Sequence, residues 1–258
     1  MPVLRRFRLD VWEAVCVGAF LTFVGFLAGR AEIREMAPWG VAGRAELEPI
    51  RRKYGPVRFS TGFEEWLVRD YFQERRGGFF VDVGAGDYRH GSNTYYLEKE
   101  LGWSGIAVDA LAQFEPGFRR HRPRTKFVLF FVSDASDQQV QFHVLDEHPW
   151  VSSADRNFTR RWGRDTRTVT VPTATLNDIL AAEGVERIDF LSMDVELSEP
   201  KALAGFDVGR YRPALVCIEA HPEVRQSILE FFTTRRYVLV GRFLRADVSN
   251  FYFAPLSK

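Results

Sequence analysis

A doubly wound, Rossmann-like α/β sheet, ending in an antiparallel hairpin and preceded by one N-terminal transmembrane helix, is the architecture that this 258-residue sequence predicts. Three observations carry the prediction. From residue 79 onward, short apolar runs alternate with amphipathic stretches, the pattern of a parallel sheet covered on both faces. The last two runs, YVLVGRF and SNFYFAP, follow each other over a short link, which suits an antiparallel pair. Near the start, VWEAVCVGAFLTFVGFLAG at 11–29 is interrupted only by Glu13. At about 1.5 Å per residue, such a run just spans a hydrocarbon core of about 30 Å.

Taken in order, residues 1–30 are expected to form a single-pass membrane anchor, with Arg5, Arg6 and Arg8 ahead of the apolar run. A cleaved signal peptide begins in a similar way, but its apolar core is shorter and its small-residue cleavage site clearer. Arg30, Arg34 and Arg44 balance the leading arginines, so charge leaves the orientation a near tie. Residues 31–59 read as a juxtamembrane linker with short helical pieces, broken by Pro38, Gly40, Gly43, Pro49, Gly55 and Pro56. Residues 60–258 form the domain. Its first helix is expected in FEEWLVRDYFQE, 63–74, where apolar residues recur at helical spacing.

Strands are expected at 79–83, 105–109, 126–132, 188–194, 214–219, 236–241 and 250–254. Helices are expected near 92–101, 113–120, 175–183, 198–205 and 222–233. Between the third and fourth core strands lies an insertion, 134–172, with extended pieces VQFHVL and RTVTVP.

A formal net charge of +1 argues against a general nucleic-acid binder, whose affinity comes mainly from neutralising phosphates. No nucleic-acid partner is expected. Cys16, in the terminal apolar run, and Cys217, in an apparent core strand, are poor disulfide partners. No His/Cys cluster has zinc spacing, and no resident metal is expected from that pattern.

The chemistry starts at FFVDVGAGDYRHGSNTYYLEKELGWSGIAVDA, 79–110. In doubly wound sheets, ligands sit beyond the carboxyl ends of the strands, where the strand order switches. Gly84 and Gly86 follow the first strand and permit a tight turn and close backbone approach. Ser92 and Asn93 suit the cap of the next helix, which puts Asn93 within reach of a ligand at the turn. Asp109 ends the second strand, where a carboxylate can accept hydrogen bonds from both hydroxyls of a ribose. A nicotinamide dinucleotide needs a third glycine, and Arg89 occupies that position. S-adenosyl-L-methionine has a ribose but no pyrophosphate, so two glycines suffice. Asp82 is then placed for the amino end of its methionine part, and Asp134, with Ser133 beside it, for the adenine amino group.

VDVGAGDYRHGSNTYYLEKELGWSGIAVDA, TLNDILAAEGVERIDFLSMDVELSEPKALAGFD and SNFYFAP resemble the FkbM family of S-adenosylmethionine-dependent methyltransferases over roughly 60–256. The resemblance implies a class I methyltransferase fold with a seven-stranded sheet, acting on hydroxyl oxygens of sugars or small metabolites. Ile188, Asp189, Phe190, Leu191, Asp194, Val195, Glu196 and Glu199 match the family's iDfLkiDvEGaE segment, while Leu197 stands where the family has glycine.

Methyl transfer from a sulfonium needs alignment of acceptor, methyl and sulfur, and often removal of the acceptor's proton. Asp194 and Glu196 end the fourth strand, and Glu219 and His221 end the fifth, on one sheet edge. Asp194, Glu219 and His221 are the candidate catalytic groups. The four together can furnish a general base, or three carboxylates and a nitrogen for a divalent metal. Glu199, at a helix start, is expected to cap it. Ser152 and Ser153, just ahead of the arginine-rich RNFTRRWGRDTR at 156–167, and Glu196 are candidate acceptor contacts. The expected protein is a membrane-anchored methyltransferase acting on oxygen of a glycan or other polar small-molecule acceptor, with its catalytic domain in the cytoplasm. The competing expectation, in keeping with Leu197, is a noncatalytic membrane-tethered scaffold that retains the fold.

Overall fold

The computed structural model describes residues 47–163 and 166–256. The anchor expected at 1–30 lies outside them, and among the described residues no helix is long and apolar enough to cross a membrane. Among the described residues ten strands run in chain order: β1 Phe79–Val83, β2 Ser104–Asp109, β3 Thr125–Leu129, β4 Phe131–Val132, β5 Gln139–Leu145, β6 Thr166–Ala174, β7 Phe190–Met193, β8 Leu215–Glu219, β9 Tyr237–Leu239 and β10 Asn250–Pro255. Seven of them form one sheet in the order β3-β2-β1-β7-β8-β10-β9, and β4-β6-β5 form a second. The main sheet is parallel apart from β10, which runs antiparallel to both neighbours. The chain builds outward through β1, β2 and β3, then returns to the other side with β7 and β8. The switch point lies between β1 and β7.

Alternation along the strands sorts two apolar layers. Val81 and Val83 of β1, Leu191 and Met193 of β7, and Val216 and Ile218 of β8 pack with Leu176, Leu180, Leu203 and Phe232. Phe80, Phe190, Leu215 and Cys217 face the other way, against Leu67, Leu97, Trp103 and Tyr252. The helices on these faces start where short polar side chains hold free amides. Thr175 accepts the Asp178 N–H ahead of the helix Leu176–Ala182, and Asp155 accepts the Asn157 and Phe158 N–H groups ahead of Arg156–Arg160.

Several boundaries differ from the expectation. The run expected as one strand over 126–132 breaks at Phe130. Its amide still donates to the Asp109 carbonyl, but Phe131 and Val132 then pair with Thr173 and Ala174 of the second sheet. The helix expected from 92 begins at Tyr95, because Ser92 holds the Thr94 and Tyr95 amides on its own hydroxyl. β9 and β10 do form the antiparallel pair, but β10 also inserts against β8, and the link contains a 3₁₀ turn at Gly241–Phe243. Residues 47–54, within the segment read as linker, are helical and pack Leu47 and Ile50 into the second apolar layer.

Candidate active site

Register brings four of the expected site residues onto one line. β1 pairs Val83 with Val108 and Met193, and β7 pairs Met193 with Ile218. One residue further on, Asp109, Gly84, Asp194 and Glu219 form a row across the carboxyl edge of four neighbouring strands, and Glu219 pairs with Asn250 of β10. Neighbours in such a row stand about 4.8 Å apart. The Asp194 amide donates to the Val83 carbonyl at 2.9 Å, so the ladder is intact to the row. Gly84 is the gap in it. Its φ is +77°, and a Cβ there would collide with the Asp194 carbonyl oxygen.

On one side of the gap is the turn. The Gly84 and Ala85 amides donate to the Val108 carbonyl, and the Gly86 amide donates to Asp109 Oδ2 at 2.9 Å. Asp109 Oδ1 accepts the Leu111 amide at 2.8 Å. Each oxygen thus keeps acceptor capacity for one more hydroxyl, as a ribose diol requires. Gly86 has φ +57° and open space where a side chain would point. These features fit S-adenosylmethionine. Burial raises Asp109 to about 6 against the pull of those amides.

Asp82 lies deeper, on the opposite face to Val81 and Val83. It is buried, accepts the Thr94 hydroxyl at 2.7 Å, and is raised by burial to about 6. Asn93 reaches across to the Ser192 hydroxyl of β7 at 3.0 Å. Asp134, two residues past β4, is exposed and accepts the buried Ser133 hydroxyl at 3.0 Å.

Beneath the turn lies a buried cation. Arg122 is 1% exposed. Its guanidinium pairs with Glu98, donates to the Tyr88 carbonyl at 2.8 Å and to the Thr94 hydroxyl at 3.1 Å, and bonds Thr125. A buried charge is tolerable when paired and fully hydrogen-bonded, and this one ties the loop after Gly86 to the helix Tyr95–Lys99. No local signal marks it, since RRHRPRTK reads as an exposed helix end.

On the other side of the gap, carboxylates crowd. His221 Nε2 lies 3.0 Å from Glu219 Oε2 and 3.3 Å from Glu196 Oε2. Those two contacts push the imidazole up to about 10, so it carries a proton at neutral pH. Asp194 is reached by solvent but recessed in the cleft, and that recession, then Glu219, raises it well above the usual carboxylate range. Burial lifts Glu196 to about 7 and raises Glu219 as well. Glu199 is fully buried at the start of the helix Glu199–Ala204, where its Oε1 accepts the Val195 amide at 3.1 Å and burial lifts it to about 7.

The insertion roofs this half. Phe158 is buried with its ring edge-on to His221, centroids 5.2 Å apart, and Arg161 pairs with Glu223 at 2.8 Å. Burying the phenylalanine contributes about 1.5–3 kcal/mol, whereas an exposed ion pair gives less than about 1, so packing holds the roof. Ser152 and Ser153 are both buried. Ser153 donates to the Glu196 carbonyl at 2.7 Å, which makes it a support for Glu196, while the Ser152 hydroxyl has no partner among the described residues. Glu196 and Leu197 both adopt left-handed backbone, with φ of 52° and 73°. Glycine suits that conformation and leucine is strained in it, so Leu197 departs from the family pattern at a position where backbone shape is at stake.

Among solved structures, the fold is similar to a TehB-like SAM-dependent methyltransferase from Corynebacterium glutamicum (15% identity, 84% of this chain and 97% of that chain, TM-score 0.42). It is also similar to an O-methyltransferase from Bacillus cereus in complex with SAH (13%, 93% and 97%, TM-score 0.41) and to a precorrin-6y C5,15-methyltransferase from Geobacter metallireducens (10%, 71% and 77%, TM-score 0.42). A search of curated proteins finds no match. The family model described as the methyltransferase FkbM domain matches residues 82–239, more than half of the chain, from the buried acid of β1 to the last residue of β9. Both sides of the cleft fall within that span, and the chain belongs to the FkbM family of S-adenosylmethionine-dependent methyltransferases.

Proposed function

We propose that the protein methylates a hydroxyl oxygen of a glycan or other polar small molecule, and that Asp194, Glu196, Glu219 and His221 surround that hydroxyl. The observation that supports the reading is the row across the sheet edge: Asp109 and Asp194 flank Gly84, so a cofactor on the turn faces the acid cluster directly. Bound S-adenosylmethionine supplies a methyl group on a positively charged sulfur, an electrophile that needs alignment more than activation. Gly84, Gly86, Asp109, Asp82, Asn93, Ser133 and Asp134 are the residues we assign to holding it. His221 hydrogen-bonds Glu196 and forms an ion pair with Glu219, which positions both carboxylates. The acceptor's proton passes to a carboxylate of the cluster as its oxygen gains the methyl.

The test uses full-length protein in detergent with methyl-labelled S-adenosylmethionine and a panel of hydroxylated acceptors, sugars and glycolipids included. Label should appear as a base-stable ether. A base-labile ester or a methylated amine would refute oxygen ether formation. With an acceptor in hand, Asp194→Asn and His221→Ala should lose about 10²–10⁴-fold in turnover with little change in cofactor affinity. Full turnover in both would remove them from the site.

We also propose that residues 11–29 anchor the protein with the catalytic domain in the cytoplasm, where the cofactor is made. Deleting residues 1–30 should move it from the membrane fraction to the soluble one. Protease digestion of the domain in intact cells would reverse the orientation.

A further inference from the structure

We propose that Asp194, Glu199 and Glu219 form a binding site for one hard divalent cation, magnesium or manganese, at the floor of the acceptor side of the cleft. One carboxylate oxygen from each lies within 4.8 Å of the others. The three come from different elements: Asp194 from the end of β7, Glu219 from the end of β8, and Glu199 from the first residue of the following helix.

A group of acids alone is common at a cleft. Glu199 supplies the independent observation. Its residue surface is entirely buried, its Oε1 is satisfied by the Val195 amide, and its Oε2 has no hydrogen-bond partner among the described residues. A buried oxygen without a donor forfeits its hydration with nothing in return, and an ion is one of the standard explanations. Glu219 Oε2 also has no hydrogen-bond partner among the described residues and belongs to this set and to the neighbouring one of Glu196, Glu219 and His221, whereas Glu199 belongs to this set alone. The orphaned oxygen of Glu199 therefore selects the first set.

All three donors are carboxylate oxygens, which suit magnesium, manganese or calcium rather than a thiolate- or imidazole-seeking ion. Magnesium–oxygen bonds of about 2.1 Å place even opposite ligands no more than about 4.2 Å apart, so a pair at the outer limit of 4.8 Å would draw in by about half an ångström on binding. Asp194 is open to solvent and gives the ion a way in. Three protein ligands leave positions for water and an acceptor oxygen. There the cation polarises the hydroxyl that loses its proton, a role that rests on the methyl-transfer reading whereas the binding itself does not.

The test is titration of chelator-treated full-length protein with MnCl₂, without cofactor or acceptor, followed by calorimetry and the loss of free Mn²⁺ signal in paramagnetic resonance. One Mn²⁺ per chain should bind, Mg²⁺ should compete for it, and Glu199→Gln should weaken it at least tenfold. Glutamine keeps an oxygen for the Val195 amide, and far-ultraviolet circular dichroism checks its folding. Asp194→Asn, at the open end of the site, gives the same reading should Glu199→Gln fail to fold. Absence of saturable Mn²⁺ binding, or unchanged affinity in Asp194→Asn and a folded Glu199→Gln, would overturn the site. S-adenosylmethionine titrated into the same preparation keeps the two ideas apart. Cofactor binding without Mn²⁺ binding sinks the cation alone, and Mn²⁺ binding without cofactor binding sinks the methyl-transfer reading.

Discussion

The two sides of the cleft carry a similar load of recessed carboxylates and treat it in opposite ways. On the turn side, Asp82 and Asp109 are met by a hydroxyl and by backbone amides, and the guanidinium of Arg122 sits beneath them with its own partners complete. On the other side, the one imidazole meets only Glu196 and Glu219 of the four carboxylates Asp194, Glu196, Glu199 and Glu219, and buried oxygens of Glu199 and Glu219 are left without a hydrogen bond among the described residues. A satisfied network builds a rigid cradle, and an unsatisfied one keeps its free energy for a ligand. Damage to the first side should therefore cost stability. Neutralising the second should cost activity and add stability.

The sharpest break comes from Arg122→Met. It strands Glu98 without its cation, which should lower stability by about 3–5 kcal/mol in urea unfolding and weaken cofactor binding in parallel. Glu98→Gln combined with Arg122→Met should recover much of that loss, since the cost lies in the orphaned charge. A small effect of the single variant would mean that the cradle does not depend on its buried pair.

Asp109→Ala comes next, with cofactor affinity falling by about 1–3 kcal/mol in calorimetry. The same residue sets a pH signature. Asp109 is raised to about 6, and only its charged form accepts both ribose hydroxyls, so affinity should be level above about pH 6 and fall as pH drops through it. Asp109→Asn should flatten that fall. A profile that survives in Asp109→Asn would transfer the titration to Asp82.

Asp194→Asn tests the opposite side by thermal unfolding. Removing one of the mutually repelling carboxylates should stabilise the protein by about 0.5–2 kcal/mol even as turnover is lost. A destabilised variant would show the cluster to be structural. The smallest effect is expected of Leu197→Gly. Relief of a left-handed leucine, worth about 1–2 kcal/mol, is offset by about 0.5–1 from the looser unfolded chain, leaving a net gain of about 1 kcal/mol or less. A clear loss of stability would mean that the leucine side chain holds the turn.

The main strands were legible because their apolar runs are short and separated by turn residues. Asp109, Asp194 and Glu219 were legible for the same reason: each is the first acid at the end of such a run. KFVLFFV hid the change of sheet at Phe130, since an unbroken apolar run carries no mark of which strand it pairs with. Arg122 was illegible for a different reason. Its partners are residues 88–98 and 125, and its neighbours in sequence are cations that do point to water. The support that Ser153 gives Glu196 joins residues 43 positions apart, which spacing alone does not disclose.

Gly84 has a consequence that reaches beyond its own turn. The carbonyl of Asp194 fills the place where its side chain would be, so the strand proposed to present the acceptor rests directly on the loop proposed to receive the cofactor. An acceptor that displaces the Asp194 backbone displaces the turn with it, and the two ligands cannot bind as strangers. Thermodynamic reciprocity then requires each to change the other's affinity by the same factor, with a single missing methyl group as the joint through which the message passes.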